Sequence, residues 1–167
     1  MTLPLTAATP QMPLAVLQQF RVIYGTMRQY FREVEDRCGL PGSQMWILQE
    51  VHRCPGLGVT DLAARLGIHQ STCSQLVEKL VVRRCLIKTR KQEDQRRVGL
   101  QLAPDGLKAI AALPGSAEGV LPEALAAMPE VALQTLYINL FELIRHLPGR
   151  DDAFASIPLA DMLTDPK

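Results

Sequence analysis

Between Val59 and Arg97 the chain carries two short helical patterns with a glycine between them, followed by a cation-rich run patterned as strands. No other stretch constrains the fold so tightly. In the first pattern Leu62, Ala63 and Leu66 share one face, with Thr60 placed to cap. Gly67 stands where a helix end takes a left-handed residue. In the second, Cys73, Leu76, Val77 and Leu80 keep the i, i+3, i+4, i+7 spacing of a half-buried helix. Its other face carries Ser71, Ser74, Gln75 and Glu78, flanked by Thr72 and Lys79. Two helices about a tight glycine turn, the second polar outside, predict a helix-turn-helix.

The following residues extend that prediction. Leu86 to Arg90 and Val98 to Leu102 pair as short strands, the second alternating Val98, Leu100 and Leu102. Between them Lys91 to Arg97 is too polar to bury, so the hairpin is a wing. From Lys79 to Arg97 eight Lys and Arg stand against Glu93 and Asp94, a local +6 in a chain of net charge +1. Such asymmetry marks a nucleic-acid face; a solvated charge run is the plainer alternative. Gln70, Ser71, Thr72, Ser74 and Gln75 suit base edges, because amides and hydroxyls both donate and accept. Arg65, Lys79, Arg90 and Lys91 suit phosphates.

These residues also resemble a known family. LPGSQMWILQEV, GVTDLAARLGIHQSTCSQLVEKL, EDQRR and LAPDG are similar to the multiple-antibiotic-resistance regulator (MarR) family, over about Val34 to Ile110. The resemblance implies a mainly α fold with a small β-hairpin wing: a winged helix-turn-helix joined to a helical dimerisation lobe. It implies a homodimer on double-stranded DNA, with Arg96 in the minor groove, Asp94 holding it, and Arg97 beside them. It further implies that the first and last helices pair across a twofold axis. Two positions depart from the family pattern. His69 stands at a cap position where Asp or Ser is commoner, and Arg84-Cys85 follows the recognition helix where Gly is usual.

On this reading residues 1–38 form an N-terminal arm and dimerisation helix, and 39–103 the DNA-binding domain. Residues 104–147 supply the C-terminal helices of the dimerisation lobe, and 148–167 a tail. The arm runs to Pro13. The first helix, Leu14 to Cys38, shows a stripe of Leu17, Phe20, Tyr24, Met27, Phe31 and Val34, wider than one small winged helix can cover. Pro104 starts a helix that breaks near Pro114, with a short piece over Glu118 to Ala127. A last amphipathic helix spans Glu130 to Leu147. The acidic tail after Pro148 is expected to pack loosely.

Composition excludes several classes. An apolar fraction of 47% with 21% charged residues is that of a globular chain with a core. No signal peptide or membrane-length apolar run appears, and four cysteines without a leader suit reduced thiols in the cytoplasm. Paired carboxylates, a nucleophile–base set and a phosphate loop are missing, so no enzyme and no cofactor is assigned. Cys38, His52 and Cys54 have weak spacing for a metal, and none is assigned.

The family resemblance also implies a small aromatic or phenolic effector, held between the dimer lobe and the winged helix. Tyr24, Arg28, Met45, Trp46 and His52 are placed by helical position to line that crevice, Arg28 holding a carboxylate. Some family members sense peroxide through a cysteine on the first helix. Cys73 and Cys85 read here as small core residues and Cys54 as the most exposed thiol. The readings carried forward are therefore a DNA-binding regulator, a winged helix used for protein contact, and a thiol-based redox sensor.

Overall fold

The computed structural model describes residues 11–91 and 94–163, with the side chains of residues 91–97 outside that description. Helix α1 (Gln11–Cys38) is followed by α2 (Gly42–Arg53), α3 (Val59–Leu66) and α4 (Gln70–Val82). An antiparallel hairpin of β1 (Leu86–Lys91) and β2 (Asp94–Leu102) comes next. Then follow α5 (Pro104–Ala111), α6 (Leu121–Ala126), α7 (Glu130–Arg145), a 3-10 turn (Asp152–Ser156) and α8 (Leu159–Leu163). The architecture is the expected one, mainly helical with a two-stranded wing. Among the described residues, no helix is long and apolar enough to cross a membrane.

The core lies in the middle of the chain. Met45, Leu48 and Val51 of α2 meet Leu62 of α3, Leu76, Val77 and Leu80 of α4, Leu86 of β1 and Leu100 of β2. Each of these side chains is 5% exposed or less, and burying one stabilises the fold by roughly 1.5–3 kcal/mol. Val34 from the end of α1 and Ala109 of α5 close the same cluster.

Local chemistry sets the boundaries. Gly67, at φ 64°, ends α3: its own N–H donates to Ala64 O and that of Ile68 to Ala63 O, the paired bonds of a left-handed helix stop. Thr60 is not the cap. Gly58 holds that position, and Thr60 sits inside the first turn. At the end of α4 the same device recurs without glycine. Arg84 takes φ 57°, Arg84 N–H donates to Val81 O and Cys85 N–H to Leu80 O. A left-handed arginine costs about 1–2 kcal/mol relative to its right-handed form.

Three differences from the sequence-based expectations have physical causes. Helix α1 begins at Gln11 instead of after Pro13, because proline is tolerated in a first turn. Strand β2 begins at Asp94 rather than Val98, since ladder bonds need only backbone and polar residues can make them at a hairpin tip. The register is Leu86↔Leu102, Lys88↔Leu100 and Arg90↔Val98, then slips, so that Lys91 faces Asp94. The break after α5 falls where expected and is tied down: Tyr30 donates its hydroxyl to Ser116 O at 2.8 Å, and Ala117 N–H donates to Gln49 Oε1 at 3.0 Å. The tail is not loose through Leu163. Ala160 and Leu163 are buried against Phe31, with Met27 and Tyr30 alongside. Its aspartates obscure a short amphipathic run.

Two surfaces remain apolar and open. Leu17, Phe20, Ile23 and Tyr24 of α1 are exposed, and α7 buries no side chain although Val131, Tyr137, Ile138, Phe141 and Ile144 lie on it.

Candidate nucleic-acid interface

The site grows from α4. Its inner face is sealed into the core, which turns Ser71, Gln75, Glu78 and Lys79 outward, all exposed, with Thr72 and Ser74 half-buried at the flanks. Ser71, Gln75 and Lys79 follow at four-residue steps and so form one ridge. His69 supplies the extended residue before the helix, but its ring accepts no amide hydrogen. The first turn is instead tied to α3: Gln70 Nε2 donates to Thr60 Oγ1 at 3.0 Å.

Neighbouring charges are partly committed. Arg65 Nε donates to Glu50 Oε1 at 2.6 Å, and Arg53 lies 3.6 Å from the other carboxylate oxygen. Glu50 is 7% exposed, so two guanidinium groups balance a carboxylate that water barely reaches. That hydrogen bond is the main cause of the raised Arg65 pKa, with the nearby Cys54 next. The guanidinium stays about half exposed and can still face a phosphate. Lys88 of β1 pairs with Glu78 of α4, joining wing to helix. Arg83 Nη1 donates to Gly39 O at 3.1 Å, tying the end of α4 to the end of α1. Arg90 is exposed on the wing. The side chains of Lys91, Asp94, Arg96 and Arg97 lie outside the described residues; their backbone belongs to the hairpin.

Sequence reasoning did not single out Thr60 and Glu50 as partners. Glu50 left one signal: it falls among Leu48 and Val51 on α2, where a lone carboxylate on an inward face requires a cation.

The residues assigned to an effector crevice do not converge. Met45 is fully buried in the core because it lies on the inner face of α2. Tyr24 is exposed on the open part of α1, and His52 is exposed at the end of α2. Arg28 borders a groove with Gly25, Gln29 and Asp36, whereas Trp46 borders a different cavity.

The thiols divide by burial. Cys73 is fully buried, its Sγ 3.7 Å from Val59 O, and burial pushes its pKa up to about 11. Burial also raises Cys85 and Cys38. Cys54 is half-buried, as is Cys38, so it does not stand out as the open thiol. Among the described residues, no three His, Cys, Asp or Glu side chains are grouped as metal ligands.

An outward polar helix held on a compact core, with a cation-bearing hairpin beside it, defines a winged helix-turn-helix. Residues 39–97 match the model of the MarR family. No curated protein matches the chain. Among solved structures it is similar to YusO from Bacillus subtilis, at 14% identity and TM-score 0.52, covering 84% of this chain and all of that one. It is also similar to a point mutant of S. aureus MepR, at 21% identity and TM-score 0.51, covering 80% and 98% of the two chains. A MarR family transcription regulator, SP03579, gives 20% identity and TM-score 0.54 over 82% and 90%. At such identities the likeness establishes the fold.

Proposed function

We propose that this chain is a sequence-specific DNA-binding transcription regulator, a repressor that binds a palindromic operator as a homodimer and is released by a small aromatic or phenolic effector. The observation that carries this reading is the outer ridge of α4. Ser71, Gln75 and Lys79 project from a helix whose other face is locked in the core, the form in which a helix enters a major groove. Gln75 is the residue for base edges, as a bidentate amide to adenine. Lys79, Arg90 and Lys91 serve the phosphates. Arg96 enters the minor groove, with Asp94 holding its guanidinium extended. The MepR neighbour, of the same fold, was solved bound to an oligodeoxyribonucleotide.

The homodimer rests on the open apolar stripes of α1 and α7. A twofold pairing of those stripes sets two copies of α4 at a fixed spacing, which a palindrome mirrors. A ligand that favours another spacing then weakens binding in proportion to its preference. The proposed target places the protein in the cytoplasm.

The test is fluorescence anisotropy with duplex DNA across a salt series. The expected result is an affinity falling steeply with salt, because phosphate contacts release counterions. A chain that uses its wing for protein contact shows no salt-dependent duplex binding. Asp94→Ala sharpens the assignment of the wing. An orienting carboxylate makes the mutant bind more weakly at both low and high salt, whereas simple charge repulsion makes it bind more tightly.

A further inference from the structure

A cavity of about 180 Å³ lies where five parts of the chain meet. Ser43 and Trp46 line it from α2, Phe31 from α1, Ile68 from the turn before α4, Ala117 from the α5–α6 linker and Ile157 from the tail. The tail is a built wall. A Cβ on Gly42 would stand 2.6 Å from Phe31 Cδ1 and 2.9 Å from the Cβ of Ala160, so this close approach depends on glycine. Apart from Ser43, Glu118 and the indole N–H of Trp46, the lining side chains are apolar. Ser43 is 2% exposed and its hydroxyl has no hydrogen-bond partner among the described residues, which is unfavourable in a dry site until a partner arrives. Glu118 is the one ionisable group among the described lining residues.

We propose that this cavity binds a neutral, largely apolar small molecule carrying one hydroxyl or carbonyl group, which Ser43 meets, with the C-terminal tail as one wall. Size agrees: an apolar cavity of roughly 150 Å³ accepts a benzene-sized molecule. Charge decides the class. A carboxylate here would lie beside Glu118, exposed at the cavity's edge, with no cation among the described lining residues to balance it, and Arg28 borders a separate groove. The ligand is therefore not an aromatic acid, and its site shares only Trp46 with the crevice read from the sequence. The proposal deepens the effector part of the function above and rests on it only in calling the ligand an effector.

Trp46 is the sole tryptophan of the chain and reports directly on the cavity. The full chain, without DNA, is titrated with cyclohexanol and with cyclohexanecarboxylate while Trp46 emission is followed. The expected result is a saturable change with the alcohol and binding at least about tenfold weaker for the carboxylate, a difference of about 1.4 kcal/mol. Ser43→Ala weakens alcohol binding roughly three- to tenfold, the effect of one hydrogen bond. Ala155→Phe, on the exposed edge of the tail, fills the cavity and abolishes the response. No saturable response, equal binding of the carboxylate, or unchanged binding in either variant overturns the proposal. Failure here leaves salt-dependent duplex binding untouched, and failure of DNA binding leaves this titration unchanged.

Discussion

Helices α2 and α7 make an instructive pair. Both carry apolar stripes, yet α2 buries eight of its twelve residues and α7 none of its sixteen. The first is surrounded by α3, α4, α5 and the wing within one chain. The second presents Tyr137, Ile138 and Phe141 to solvent, as the first half of α1 presents Phe20 and Tyr24. Apolar periodicity announces that a face will be covered, and it does not say by which chain. The winged helix has its own core, whereas the outer helices leave apolar faces open, which the proposed homodimer would cover.

The largest expected effect is in the core. Leu80→Ala removes a fully buried side chain at the base of the winged helix and should lower unfolding free energy by about 2–5 kcal/mol in denaturant titration. A cost below about 1 kcal/mol would mean that the centre of the molecule lies elsewhere. Phe141→Glu probes the opposite region. On the exposed face of α7 it should leave the winged helix folded but convert the proposed dimer to monomer in sedimentation, since an unpaired buried charge opposes association. A dimeric Phe141→Glu protein would take α7 out of the interface and break the contrast between the two regions.

The same contrast governs what was legible in the sequence. The helix-turn-helix was readable because spacing and turn chemistry agree: Leu76, Val77 and Leu80 point inward, and Gly67 takes the left-handed turn. Arg84 was readable as a difficulty for the same reason, and the backbone bears the strain that its side chain implies. The seating of Ala160 and Leu163 was not, because five helical residues show no period and their neighbours are acidic. Arg65 was read by its charge alone. Its partner Glu50 lies fifteen residues away on another helix, a pairing that only tertiary packing creates. Helical position alone puts Met45 at a crevice, whereas the inner face of α2 carries it into the core.

Two smaller effects refine the picture at the edges of the winged helix. Arg84→Gly relieves a left-handed side chain but frees the unfolded chain, so a net gain of about 0.5–1 kcal/mol is expected in thermal or chemical unfolding. A loss would show that the arginine makes contacts worth more than the strain. Cys73 gives no effect at neutral pH and one that appears only in alkali. Its folded pKa, about 11, lies above the ordinary value of 9.0, so the native state keeps a proton that the unfolded state gives up. Its contribution is complete below pH 9 and is lost as pH rises towards 11. Wild type should therefore lose stability relative to Cys73→Val across that window and not below it.

The central claim is that α4 reads bases while the surrounding cations hold phosphates. It is tested most directly by selecting a bound duplex from random sequence and titrating wild type and Gln75→Ala against that duplex and a scrambled one at the same salt. If the claim holds, Gln75→Ala loses about 1–3 kcal/mol on the selected duplex and almost nothing on the scrambled one. An equal loss on both, or no loss on either, would contradict base reading from the outer ridge of α4.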